Sequence, residues 1–351
     1  DAIQNVDVSG TVVYRYDDRG NDNNLGAGDG TNNNYKVGVS LSSKVNDDVK
    51  FNSRFVVGSA NSGFASLNTG TPVAPATASN DTNVNVALST ANFSYTGIAN
   101  TTVVVGKQGL ATPWTNAIDS DGSEQTGTGI LAATTMGPVT AAAGYFNQTN
   151  VAGVSVNGQD LVVAGLMGKL AMVNAEAWYL DVSETADAYF LKASTSFDVD
   201  AVKIGLAAQY SELENDAAVA NDDNSLLKVS VSAKMAPFNA GITYSETGTN
   251  GSGILNQLSK NSAIGYSMNL NGTDNTNMIQ YDLGMQVTPE LHVGLNYDVV
   301  EDDTPTVAPA GQTAGQDAEE LYVQVTYNMS KNLSTYVRLA DGEDGTEDYN
   351  R

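Results

Sequence analysis

The chain has 351 residues, with 16 basic and 40 acidic side chains, a formal charge of −24, a single His and no Cys. That balance excludes disulfide frameworks, thiolate chemistry, His-clustered zinc and a basic face for nucleic acid. Apolar residues make up 41%, too many for a disordered chain, and no run of about 18 apolar residues supplies a membrane helix.

A membrane β-strand needs only about 9–11 residues with one apolar face, so a membrane barrel stays open. The start, Asp1-Ala2-Ile3-Gln4, has neither a basic segment nor an apolar run, so the sequence as given opens without a signal peptide and reads as a mature chain. Period two begins at once. Val6, Val8, Val12, Tyr14 and Tyr16 share one face, while Asp7, Ser9, Thr11 and Arg15 share the other. A helix does not separate them this way. The second strand alternates Tyr35, Val37, Val39 and Leu41 with Lys36, Gly38, Ser40 and Ser42, and the third sets Phe51, Phe55 and Val57 against Asn52, Arg54 and Gly58.

After the fifth strand comes the loop Leu110 to Gly127, which carries Trp114 and Ile118 together with Asp119, Asp121 and Glu124. Apolar anchors allow a long loop to fold into a lumen and narrow it, and the walls that follow, 129–135 and 139–146, are rich in the small residues that leave room for it. The alternative is an exposed acidic loop. Opposite charge is expected to face the carboxylates, and Arg15, Lys36 and Arg54 fall on the inward face of three successive strands, with Arg338 inward near the closing seam. Such a pair of walls makes a transverse field that orients dipolar solutes and filters ions. Asp119-Ser120-Asp121-Gly122 with Glu124 resembles the start of a calcium loop, but position twelve is Ile130 where that motif needs Glu. A site sharing Asp119 with wall carboxylates fits hard cations better.

The eighth strand, Leu161 to Gly168, is apolar on both faces, which predicts a neighbouring subunit outside or a packed loop inside. Trp178 and Tyr179, with Tyr14, Tyr16, Tyr95 and Tyr327, are candidates for interfacial girdles. The alternation continues through Leu191 to Phe197, Val202 to Tyr210, Val229 and Val231, Ile279 to Met285, Leu291 to Tyr297, Leu321 to Tyr327 and Leu333 to Leu339. His292 sits on a polar face near Asp298 with no Ser in a triad-like relation, so it reads as a lumen residue and the chain as no enzyme.

Connections alternate in length. Long ones cover 17–34, 61–82, 110–127, 149–159, 213–225, 248–276 and 301–318, and tight turns such as Asn46-Asp47-Asp48, Gly137-Pro138, Ala236-Pro237 and Thr288-Pro289-Glu290 fall between them. Long loops at one rim and tight turns at the other are the pattern of outer-membrane barrels, with the long loops extracellular. The expected fold is one all-β domain over 1–351, an antiparallel transmembrane β-barrel with an inward loop at about 110–127. Seventeen strands are readable. An odd count conflicts with the even number of bacterial barrels, so eighteen are expected, with sixteen as the alternative and the last strand missing after Arg351.

These residues carry a resemblance. Val6-Asp7-Val8-Ser9-Gly10 followed by Tyr14-Arg15-Tyr16-Asp17 resembles the first strand of the Campylobacter-type major outer membrane porins. Gly106-Lys107-Gln108 and Trp114-Thr115-Asn116-Ala117-Ile118-Asp119 resemble that family's fifth strand and constriction loop. The resemblance implies an eighteen-stranded, cation-preferring, trimeric porin with calcium at the constriction, and it places Asp119 on the family's acidic position. The family closes on a strand ending in an aromatic residue, and Arg351 departs from that pattern.

The function expected is therefore passive diffusion of small hydrophilic solutes and cations across a Gram-negative outer membrane, among lipid and lipopolysaccharide. The constriction would set Asp119, Asp121 and Glu124 against Arg15, Lys36, Arg54 and Arg338, with Asp119 as the candidate metal ligand. The alternative is a surface adhesin or structural β-protein whose long acidic loops bind a partner.

Overall fold

The structure is a computed structural model that describes residues 5–21, 30–58, 65–66, 85–120, 122–151, 159–216, 224–255, 259–302, 317–344 and 348–351. Among the described residues every regular element is a strand. In chain order these are β1 Asp7–Asn21, β2 Gly30–Lys44, β3 Val49–Gly58, β4 Asn85–Ile98, β5 Thr101–Gly109, β6 Thr126–Met136, β7 Val139–Thr149, β8 Leu161–Leu170 and β9 Val173–Val182. They continue with β10 Ala186–Val199, β11 Val202–Asn215, β12 Asn224–Met235, β13 Phe238–Thr247, β14 Thr276–Gln286, β15 Leu291–Asp302, β16 Ala318–Ser330, β17 Leu333–Asp344 and β18 Asp348–Asn350. A two-residue piece, Ala65–Ser66, bridges to Asn34 and Tyr35 of β2.

The periodicity predicted the polarity of these strands. On β16 the face read as apolar is the more exposed one, with Leu321, Val323, Val325 and Tyr327 open and Tyr322, Gln324 and Thr326 less so, and on β1 Val8, Val12, Tyr14 and Tyr16 are open, as are Asp7, Ser9 and Thr11 of the other face. The buried residues include Lys36, Arg54, Gln209, Asp298 and Glu320. This is a soluble protein turned inside out: grease faces outward, where a bilayer supplies the missing contacts, and polar groups face inward.

Each strand pairs with its successor, and the pairing is antiparallel from β2 through β7 and from β10 through β18. Strand β1 pairs with β2 and with β18, through Gly20↔Asn350 and Asn21↔Tyr349, so the sheet is a closed antiparallel β-barrel. The closing strand expected to be missing is therefore present within the chain, as Asp348–Asn350 between β17 and β1. Three residues are too short a run to show alternation. The hairpins have local causes. Asn46 Oδ1 accepts from the N–H groups of Asp48 and Val49, an Asx turn joining β2 to β3. Gly137, with φ of 59°, turns β6 into β7.

Contacts group the chain into two units, described separately below: residues 1–18, 30–166 and 180–184 in the first, and 19–29, 167–179 and 185–351 in the second. In the first, Trp114, Phe146, Leu161 and Val56 are buried without exposure. Strand β8 buries Leu161 and Val163 while Val162 and Leu166 are open, so its inward apolar face is covered. In the second, Leu226, Met268, Leu270, Met278 and Val300 form a buried cluster with Ile254, Ala263 and Ala318, against which Tyr349 packs.

Candidate pore constriction

The first unit holds the loop between β5 and β6. Its neck is closed by Leu110 N–H donating to Gln125 O at 2.9 Å and Gln125 N–H to Asn116 O at 2.8 Å. The Thr115 hydroxyl donates to Leu110 O at 2.6 Å and accepts from Thr112 N–H at 3.2 Å, which tightens the first turn. Leu110 and Trp114 are buried, and Ile118 is exposed. At the return, Asn150 accepts from Thr126 N–H and donates to Glu124 O, tying the loop to the end of β7.

Glu124 is the anchor. It is fully buried. Arg54 on β3 donates Nε and Nη2 to its carboxylate, at 3.0 and 2.7 Å from Oε1, in a forked contact. Lys36 Nζ on β2 lies 3.2 Å from Oε1, and the Ser89 hydroxyl on β4 donates to Oε2. Lys36 also donates to Asp119 O and Gly122 O, the latter at 2.9 Å. Burial pushes the Glu124 carboxyl upward, but Arg54, Ser89 and Lys36 outweigh it and hold it below the usual carboxylate range.

Two local features of the strands make this convergence. Between β3 and β4 the register passes from Arg54↔Thr90 to Phe55↔Leu88, so Ser89 is the extra residue of a bulge. A bulge re-aims a side chain, and here Ser89 is 1% exposed with its hydroxyl on Glu124. Gly38 on β2 leaves the space that Arg54 fills, since a Cβ there would lie 2.2 Å from Arg54 Nη2.

Of the expected site residues, the structure thus brings Lys36 and Arg54 together with Glu124. Arg15 donates to Asp17 at 2.8 Å on its own strand. Asp119, partly exposed, accepts from Gly122 N–H at 2.9 Å and from Asn116 Nδ2 at 3.4 Å. Asp121 lies outside the described residues. A cavity of about 310 Å³ lies beside the loop, lined by Asp7, Ser9, Asn52, Arg54, Ala117 and Ile118 among others. Glu124 is taken up by three donors, Asp119 has one oxygen on a backbone N–H, and no group of three or more carboxylate or imidazole ligands forms among the described residues.

Arg338 belongs to the second unit. Its Nε and Nη2 donate to Gln324 Oε1 at 2.8 and 2.6 Å, and its guanidinium lies 4.3 Å from the Tyr266 ring centroid. Tyr266 sits on the long connection expected over 248–276. Its residues 262–267 lie against the polar face of the wall: Lys228 donates to Ser262 O at 2.7 Å, Gln280 to Ile264 O at 3.0 Å, and Glu320 accepts from Tyr266 and Ser267 N–H groups. Alternation with Val229 and Ile279 puts Lys228 and Gln280 on inward faces, and the loop's own apolar residues Met268 and Leu270, both buried, are the signal in the sequence for inward packing.

Comparison with known proteins follows the same line. Residues 1–165 match the family model described as Campylobacter major outer membrane protein. No curated protein matches the chain. Among solved structures, Pseudomonas aeruginosa OpdK with vanillate superposes with a TM-score of 0.75 at 13% identity, covering 100% of this chain and 97% of that one. Acinetobacter baumannii OccAB4 gives 0.74 at 12%, covering 98% and 95%. OprD from Pseudomonas aeruginosa gives 0.73 at 15%, covering 98% and 90%. At these identities the structures share the fold.

Proposed function

We propose that this chain, an outer-membrane porin whose first 165 residues carry the Campylobacter major outer membrane protein signature, passes small hydrophilic solutes with a preference for cations. One observation supports the sign: the two wall cations nearest the loop, Lys36 and Arg54, are 2% and 5% exposed and locked onto Glu124. Neither presents its charge to a passing ion. The surplus of 40 acidic over 16 basic side chains is then left to set the field that permeating ions meet.

In this reading the loop 110–125 narrows the path. Glu124, Lys36 and Arg54 fix its position, and Asp119 meets the solute. A trimer, surrounded by outer-membrane lipid and lipopolysaccharide, belongs to the same reading through the family likeness. Calcium at Asp119 does as well, and with the donors described here it would need ligands beyond them.

The test is the reversal potential of purified protein in a planar bilayer under a salt gradient, with and without a chelator. Cation preference that falls in Asp119→Asn/Asp121→Asn supports the assignment, and an unchanged potential removes it. A shift on chelation would assign a metal to the path. Absence of any channel steps would favour an adhesin.

A further inference from the structure

The second unit contains a contact set that the loop at 110–125 does not use. Glu320 on β16 is fully buried, yet its carboxylate is satisfied entirely by groups from other segments. Oε1 accepts from Tyr266 N–H at 2.8 Å, Oε2 accepts from Ser267 N–H at 2.9 Å, and the Tyr349 hydroxyl donates to Oε2 at 3.2 Å. Tyr266 and Ser267 form the tip of the loop 259–275, and Tyr349 lies on β18, the short strand that closes the sheet.

The tip has further contacts. Two guanidinium groups lie over the Tyr266 ring, Arg338 of β17 at 4.3 Å and Arg351 at 4.1 Å from its centroid. Arg351 Nη1 also donates to Tyr266 O at 3.3 Å, while the Arg351 backbone pairs with Ala340 of β17 in both directions. Gly265 fits beside the carboxylates: a Cβ there would lie 2.2 Å from Asp298 Oδ2 and 3.0 Å from Glu320 Oε1. Asp298 is the register partner of Glu320 on β15. Among the described residues, β18 makes three register pairs with β17 and two with β1.

We propose that Glu320 is a positioning residue that clasps the tip of this second inward loop to the closing strand, so that loop position and seam integrity are one cooperative unit. Displacing the tip both widens the conducting path and loosens the seam. The inference rests on the channel reading for its first consequence only.

Two substitutions separate the parts while leaving Glu320 itself in place. Tyr266→Ala removes the ring that both arginines stack on, and Tyr349→Phe removes one hydroxyl. The readouts are single-channel conductance and the temperature at which the folded band shifts on a detergent gel. Tyr266→Ala is expected to raise conductance and to lower the shift temperature by on the order of a few degrees, although it lies in a loop. Tyr349→Phe should lower the shift temperature, and the double variant should fall short of the sum of the two effects, as coupled residues do. Glu320→Gln, which keeps one acceptor oxygen, should lie between wild type and Glu320→Ala in both readouts. Additive effects, or an unchanged shift temperature in Tyr266→Ala, would overturn the clasp. If wild-type protein gave no channel steps, the channel reading would fall while the gel still decided the clasp.

Discussion

At Glu124 three donors converge on one carboxylate that water does not reach. Removing one partner of a buried ion pair costs about 3–5 kcal/mol, because the charge left behind is uncompensated. Glu124→Ala would strand both Lys36 and Arg54, and the loop is expected to leave the wall so that they can hydrate. Conductance should then rise and the cation preference should fall, since two positive charges join the lumen; a reversal potential and a current histogram check both. The pH dependence follows the same group. Its folded pKa is lowered, so its contribution to loop docking is complete above the ordinary carboxylate pKa and is lost only as pH falls through the depressed value. Channels should therefore keep wild-type conductance down to about pH 4.3, the unperturbed Glu value, and shift below it, whereas Glu124→Ala should show the open level already at neutral pH. The charges of this site were legible in the sequence, because alternation alone places Lys36 and Arg54 on the inward face. Their pairing was not. Period two gives the side of a strand but not the distance from strand to loop, and Glu124 was indistinguishable from Asp119 until the bulge at Ser89 and the gap at Gly38 brought its partners together.

Among elements, the tight hairpins and the long strands were readable for a single reason: each has enough residues to show two faces. Seventeen strands met that condition. Strand β18, with three residues, did not. For the long connection 248–276 the rim was legible and the inward packing was not. Loop length separates the two rims but carries no information on whether a loop folds outward or against the wall, and that is decided by apolar residues such as Met268 and Leu270 with something to bury against. The β2–β3 register offers an element-level test. Gly38 lies diagonally beside Arg54, whose direct partner is Ser40. An Ala at Gly38 would force the guanidinium aside, since the clash is with its flexible end. Gly38→Ala is expected to fold, and to reproduce the opened conductance of Glu124→Ala in weaker form, because Lys36 and Ser89 still hold the carboxylate. Wild-type conductance in Gly38→Ala would show that Arg54 is dispensable for the loop.

For the whole molecule, the exposed apolar faces and the net charge of −24 make separate demands. The faces require a bilayer or detergent, since outward Val8, Val12, Val337 and Leu339 are each more than 60% exposed. The charge acts on what passes through. A cation preference that arises from a diffuse acidic surplus, with the nearby cations neutralised by Glu124, is a screening-dependent property. The Debye length is about 10 Å at 0.1 M salt and about 3 Å at 1 M. Raising salt at a fixed gradient ratio is therefore expected to carry the permeability ratio toward that of the free ions. The part of the preference set by a carboxylate in direct contact with the permeating ion, as proposed for Asp119, would hold nearly constant, because contact distances lie inside even the shorter length. The titration separates the two origins: a preference that survives 1 M salt undiminished places the selecting groups at the narrowest point, and one that fades locates them in the general field of the chain.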